Sequence, residues 1–242
     1  MPRGQPDYGL YTATPVASGI SDPGEAAARL GGINIYDRRG WTVWQDDFEA
    51  AVLKWLTATV AAGSNPVLST EQSWMGIQSV KLQVTAAVAD RSAMFNFFPL
   101  VRLGKIGAEF FIYLKGTTPA YLSLQLTIYD GTNVSWAELR LDNNARTATI
   151  VTPAGNIIVA TFVFPLIAYE TFIPVKLVID IDTDFYTRLL VGPQEIDLSA
   201  HALNPIGATT QRLITGNLTL VGGALGAAIC HIDNFILTQN EP

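Results

Sequence analysis

The chain has 242 residues, a formal net charge of −6 and only 15% charged residues. Its one adjacent basic pair, Arg38-Arg39, is no counterion-releasing stripe, which excludes a nucleic-acid partner, and no apolar run approaches the ~20 residues of a membrane-spanning helix. Cys230 is the single cysteine, so no internal disulfide exists, and a chain of this size can bury a full core without one.

In chain order, residues 1–20 set Gly4, Pro6, Gly9, Pro15 and Gly19 among small and aromatic residues with no period of 2 or 3.6. That pattern predicts an extended arm. Asp22 as N-cap, Pro23 at the first helical position, Glu25 completing a capping box and Gly31 as stop predict one short helix at 22–30. The apolar residues Tyr8, Leu10, Tyr11, Val16 and Ile20 are too scattered to make a core, so the arm of residues 1–32 is expected to dock on a neighbour and make a homo-oligomer. The opening Met-Pro-Arg-Gly-Gln-Pro-Asp lacks an apolar signal region, so secretion by the general pathway is not expected.

From Ile33 the pattern becomes one of strands. Ile33–Tyr36 and Trp41–Trp44 flank Asp37-Arg38-Arg39-Gly40, a four-residue hairpin signal. Leu122, Leu124, Leu126 and Ile128 alternate with Ser123, Gln125 and Thr127, and Val175, Leu177, Ile179 and Ile181 alternate in the same way. Further strands are predicted at 78–84, 108–114, 135–141, 146–151, 185–191, 212–221 and 229–238. Turn residues recur every 8–12 positions and no strand–helix–strand rhythm appears, so residues 33–242 are expected to form an all-β antiparallel two-sheet sandwich of ten or more strands.

Candidate chemistry is sparse. Asp180, Asp182 and Asp184 would share one face of an extended chain, but positions 6 and 12 of the calcium loop pattern hold Phe185 and Val191, and no glutamate lies near for a glycosidase pair. They read as a solvated strand end running into a hairpin. In Asp47-Phe48-Glu49 the phenylalanine is expected to enter the core and the two carboxylates to share the other face, where Asp233 of the last strand would join them if the first and last strands pair. The set reads either as a calcium site or as a polar strand edge. Cys230 and His231 are adjacent and must face opposite sides of a sheet, which precludes a thiol–imidazole dyad. His201, with Ser199 and Asp197, lacks a nucleophile elbow and reads as a turn histidine. Gly222, Gly223 and Gly226 have no helix after them and read as a hairpin loop. Of the five tryptophans, Trp41 and Trp44 cannot share a strand face, whereas Trp74, and with it Tyr121, lies near loops as a potential sugar contact.

Two resemblances emerge. Asp47-Phe48-Glu49 followed by Trp55, then Ser73-Trp74-Met75-Gly76-Ile77-Gln78-Ser79-Val80-Lys81-Leu82, then Ile232-Asp233-Asn234-Phe235-Ile236-Leu237, is similar to the layout of jelly-roll carbohydrate-binding modules and laminin-G-like lectin domains over residues 46–238. It implies a jelly-roll fold and a structural Ca2+ on Asp47, Glu49 and Asp233; the sugar site does not carry over. The opening Pro2-Arg3-Gly4-Gln5-Pro6-Asp7-Tyr8-Gly9, the Asp37–Gly40 turn and the closing Thr238-Gln239-Asn240-Glu241-Pro242 resemble structural proteins of tailed bacteriophages. This second resemblance implies a non-enzymatic virion protein made in the host cytoplasm, such as a capsid decoration or accessory protein, bound to other virion proteins and to copies of itself, with a trimer as the implied assembly. The alternative is a carbohydrate-binding or host-adhesion module with a glycan partner. No nucleic acid or membrane partner is expected.

Overall fold

Period-two alternation is the organising pattern of the structure. In the computed structural model, residues 36–242 are described, apart from 38, 62–63, 88–89, 101, 116–120, 143, 163–170 and 224–225. The predicted arm of residues 1–32 with its helix at 22–30, and residues 33–35 of the first predicted strand, lie outside this set. Among the described residues there are sixteen strands and no helix.

One sheet is built from β1 (Trp41–Asp46), β3 (Ser64–Ser69), β4 (Ser79–Val84), β6 (Lys105–Lys115), β11 (Ile173–Asp180), β12 (Phe185–Val191), β13 (Gln194–Asp197) and β16 (Ala228–Gln239). Its order is β13-β12-β11-β6-β16-β4-β3, with β1 on β16. The other is built from β2 (Leu56–Val60), β5 (Arg91–Pro99), β7 (Tyr121–Asp130), β8 (Asn133–Asp142), β9 (Thr147–Thr152), β10 (Gly155–Thr161), β14 (Asn204–Ala208) and β15 (Arg212–Val221). Its order is β10-β9-β8-β7-β15-β5-β2, with β14 on β8. Every pairing is antiparallel.

The hairpin expected around Asp37–Gly40 has most of its first strand outside the described residues; among the described residues Tyr36 is a bend and β1 pairs with β16. The first described strand and the last one therefore do pair. Gly222, Gly223 and Gly226 also differ from expectation. They join β15 to β16, which lie in different sheets, so the segment is a crossing between layers rather than a hairpin loop. A side chain at Gly222 would meet the Ala87 carbonyl oxygen at 2.5 Å, which explains the small residue there.

The two sheets bury their apolar faces against each other. Ile106, Ala108, Phe110 and Ile112 of β6 and Val175, Leu177 and Ile179 of β11 meet Leu122, Leu124, Leu126 and Ile128 of β7 and Ile214, Leu218 and Leu220 of β15 in one core. An aromatic cluster closes one end. Phe98 and Phe235 stack at 5.7 Å, and Trp44 and Trp55 pack around them. Gly216 in mid-strand serves this cluster, because a β-carbon there would sit 2.8 Å from the Phe98 ring.

The outward faces of the two sheets differ. That of the first sheet is covered. Asp37, Arg39, Gly40, the 72–77 loop, Glu241 and Pro242 lie over it, and Glu109, Lys176, Val178, His231 and Asp233 are all buried although they point away from the core. Lys176 is fully buried, 2.8 Å from Glu241 and 3.1 Å from Asp37, and donates to the Arg39 carbonyl at 2.9 Å. Arg188 holds the other Glu241 oxygen at 2.6 Å, and Thr238 donates to Glu241 at 2.6 Å. Burial alone would raise the Asp37 carboxyl, but Arg39 and Lys176 outweigh it and hold it below the usual range. On the second sheet most outward side chains stay partly exposed, with Ser123 and Glu138 buried among them, as described below.

Such a charge cluster is a poor source of net stability but is costly to break, because the remaining partners stay buried and uncompensated. Lys176→Met removes the fully buried cation between Glu241 and Asp37 and leaves Arg188 and Arg39 to hold them. Chemical denaturation is expected to show a loss of about 3–5 kcal/mol with an unchanged slope; a variant as stable as the parent would contradict this account of the covered face.

Candidate binding site

The strand register of the second sheet aligns outward side chains into rows. On β7 the core takes Leu122, Leu124, Leu126 and Ile128, so Tyr121, Ser123, Gln125 and Thr127 face outward. On β8 the core takes Ala137, Leu139 and Leu141, which turns Trp136, Glu138 and Arg140 outward. On β15 the outward residues are Thr215, Asn217 and Thr219, and on β5 they are Ala93, Phe95 and Phe97. Cross-strand pairing then gives one row of Trp136, Thr127, Thr215 and Phe97. The next row is Glu138, Gln125, Asn217 and Phe95, and the third is Arg140, Ser123, Thr219 and Ala93.

These groups are pre-arranged. Arg140 binds Glu138 with both ends, Nε to Oε1 at 2.6 Å and Nη2 to Oε2 at 3.2 Å, and its guanidinium lies 5.4 Å from the Tyr121 ring centroid. Ser123 donates to the same Glu138 oxygen at 2.8 Å. The Glu138 side of that pair raises the Arg140 guanidinium further above its already high range. Thr219 donates to Asn217 Oδ1 at 2.8 Å, which leaves the Asn217 amide hydrogens for another acceptor. Among the described residues neither the Gln125 side-chain amide nor the Trp136 indole N–H has a hydrogen-bond partner. Phe97 is 55% exposed, with Phe95 edge-on to it at 6.0 Å.

The backbone beneath Trp136 and Glu138 is braced from the other layer. β8 changes edge partner from β9 to β14 between Glu138 and Trp136. Tyr186 of β12 crosses the interior to fill that fork: its hydroxyl accepts the Glu138 N–H at 2.9 Å and donates to the Val151 carbonyl at 2.7 Å. Asn204 donates to the same carbonyl at 2.7 Å. Burial pushes the Tyr186 hydroxyl well above its usual range, so it stays protonated.

The residues singled out from the sequence lie elsewhere, Tyr121 apart. Asp47, Glu49 and Asp233 do not gather into a calcium set: among the described residues no three His, Cys, Asp or Glu side chains converge so as to hold a metal ion. Asp47–Glu49 is not a strand. Phe48 does enter the core, but through a left-handed backbone (φ 58°) with its N–H on Asp46. Asp47 is exposed and caps the Glu49 N–H. Glu49 accepts the N–H groups of Ile77 and Gln78, both at 3.0 Å. Asp233 accepts those of Trp74 at 2.7 Å, Met75 at 3.2 Å and Asn234 at 2.8 Å. Converging N–H donors repel a cation, so the residues present do not fit calcium. The carboxylates instead clasp the loop at 73–78, whose Trp74 stacks on Phe111 at 4.8 Å.

Asp180, Asp182 and Asp184 form the β11–β12 turn, with the Asp182 N–H on Asp180 and Asp184 at φ 56°. Cys230 is in the core, where burial pushes its thiol up, and His231 is on the opposite face. His231 is held at about 4 by burial, against the pull of Glu71. Ser79 donates to the Gln72 carbonyl, so the His231 Nδ1–H donates to Ser79. His201 and Asp197 make turn hydrogen bonds, to the Leu198 carbonyl and from the Ser199 N–H.

No family model and no curated protein matches this sequence. Solved structures do match in fold. An endo-beta-1,4-glucuronan lyase from the fungus Trichoderma reesei aligns with TM-score 0.57 and 11% identity over 81% of this chain and 95% of that one. A protein of unknown function with a galectin-like fold from Bacillus subtilis aligns with TM-score 0.53 and 12% identity over 84% and 97%. The cellulose induced protein Cip1 aligns with TM-score 0.50 and 12% identity over 81% and 97%. At these identities the likeness establishes the fold, a lectin-like β-sandwich, and nothing finer. No comparison points to a phage origin.

Burial, against three backbone N–H groups, pushes Asp233 up to about 6, and nearby Glu49 adds to the rise. A carboxyl raised on folding binds its proton more tightly in the folded state. Its stabilising contribution is complete below about pH 4 and is lost as pH rises through about 6. The melting temperature is expected to rise between pH 7.5 and 5, and this rise to vanish in Asp233→Asn. EDTA is expected to leave the melting temperature unchanged at either pH; a drop would restore a structural metal.

Proposed function

We propose that this chain is a carbohydrate-binding module and that the outward face of the second sheet is its sugar site. One observation carries the reading: of the two sheets, one has its outward polar groups buried under covering segments, and the other leaves the amides of Gln125 and Asn217, the hydroxyls of Thr127, Thr215 and Thr219 and the rings of Trp136 and Phe97 partly or fully exposed in register. Sugar recognition needs that combination. Ring faces pack on aromatic side chains, and hydroxyl groups need donors and acceptors fixed at close spacing. The lectin-like fold supports the reading only by analogy. The alternative reading from the sequence, a glycan-binding or adhesion module, is thus better supported than a virion structural role, which rests on short terminal motifs alone.

The lyase among the fold relatives does not by itself favour catalysis. Asp180 and Asp182 lie in a turn, and on the proposed face Glu138 is locked to Arg140.

A glycan array with the full chain is expected to give specific hits. Trp136→Ala and Asn217→Ala should each weaken binding to those hits about tenfold, the equivalent of ~1.4 kcal/mol, with little change in melting temperature. An array without hits, or variants that bind as the parent does, would overturn the proposal.

A further inference from the structure

The chemistry of the proposed site goes further than sugar in general, and the inference that follows rests on the carbohydrate reading. We infer that the site takes a linear neutral oligosaccharide laid across the strands, and that it selects against acidic sugars.

Charge is the first ground. Arg140 is the cation within the three rows, and it is spent: Glu138 holds it bidentately, Ser123 tops up the same carboxylate, and Tyr121 lies under the guanidinium. The pair carries no net charge, with Glu138 buried and Arg140 half-buried beside it. Its neighbours are amides and hydroxyls, namely Gln125, Asn217, Thr127, Thr215 and Thr219. A uronate carboxylate in this place would meet the buried Glu138 carboxylate beside an Arg that is already paired. The chain's net charge of −6 opposes a polyanion at long range as well. Neutral hydroxyl groups suit the face: Asn217 offers amide hydrogens, Gln125 offers both a donor and an acceptor, and each threonine hydroxyl can do either.

Length is the second ground. Trp136 on β8 and Phe97 on β5 stand at opposite ends of one row, with β7 and β15 between them. Three strand spacings separate them, on the order of 14 Å. Two aromatic surfaces so far apart suit a short chain of sugars rather than one ring, with Thr127 and Thr215 beneath the middle and the Gln125–Asn217 row alongside.

Calorimetric titration of the full chain tests this, with neutral gluco-, xylo-, manno- and galacto-oligosaccharides of one to six units set against oligoglucuronate and oligogalacturonate, at 50 and 500 mM NaCl. A neutral series is expected to bind, with affinity rising at least tenfold from the monosaccharide to the tetrasaccharide and changing less than twofold with salt. Trp136→Ala and Phe97→Ala should each weaken the tetrasaccharide about tenfold. Glu138→Gln frees Arg140 and should gain about tenfold in affinity for oligouronate at 50 mM NaCl, a gain erased at 500 mM. Parent protein that binds oligouronate in preference, or neutral binding that falls tenfold with salt, overturns the inference while leaving a carbohydrate site in place. Folded protein that binds neither series overturns the inference and the carbohydrate reading together.

Discussion

Strand register is the constraint on which the rest of the structure depends. The side-chain period of a strand is two, so a slip of one residue in β7, β8 or β15 would send Gln125, Glu138 and Asn217 into the core and expose leucines in their place. The leucine and isoleucine faces of these strands hold the register, because only one alignment buries them all against the first sheet. The rows of polar and aromatic groups outside are thus a consequence of apolar burial inside. Tyr186 reinforces this by satisfying the backbone where β8 exchanges β9 for β14, next to Trp136 and Glu138.

The two outward faces show two uses of the same pattern. On the first sheet, buried ions and clasping carboxylates fasten short segments over the strands. Asp233 and Glu49 each collect backbone N–H groups from the 73–78 loop, and Glu241 joins Lys176 to Arg188. On the second sheet the polar groups pair with one another along the surface and keep donors and acceptors facing solvent. Charge that is consumed in fastening a cover cannot greet a ligand, and this difference separates the scaffold face from the site.

Much of the fold is legible in the sequence. The alternation of Leu122 to Ile128 and of Val175 to Ile181, the opposite facing of Cys230 and His231, and the turn at Asp180–Asp184 all follow from local pattern. Strands such as β5, β10, β13 and β14 are less legible because they are short, edge-placed or mixed in composition. In β5, Phe95 and Phe97 face outward, so the apolar side does not announce itself. The calcium reading of Asp47, Glu49 and Asp233 fails on the same ground. The residues do approach one region through the β1–β16 pairing, but a sequence does not show that backbone N–H groups already claim their oxygens. The proposed site is spread over four strands far apart in the chain. Ser123, Gln125 and Thr127 are visible as a polar face, but Asn217 and Phe97 join it only through a strand order that no local pattern reveals.

The account turns on one claim, that the open face of the second sheet is where sugar binds. Titration of a neutral linear oligosaccharide into isotope-labelled full-length protein, followed by backbone and side-chain NMR, locates the ligand directly. The shifts are expected to concentrate on the Trp136 indole, the side-chain amides of Gln125 and Asn217, and the backbone of β7, β8, β15 and β5, with Trp74 and the 73–78 loop unmoved. Shifts centred instead on Trp74 and the covered face of the first sheet, or no shifts at saturating sugar, would contradict it.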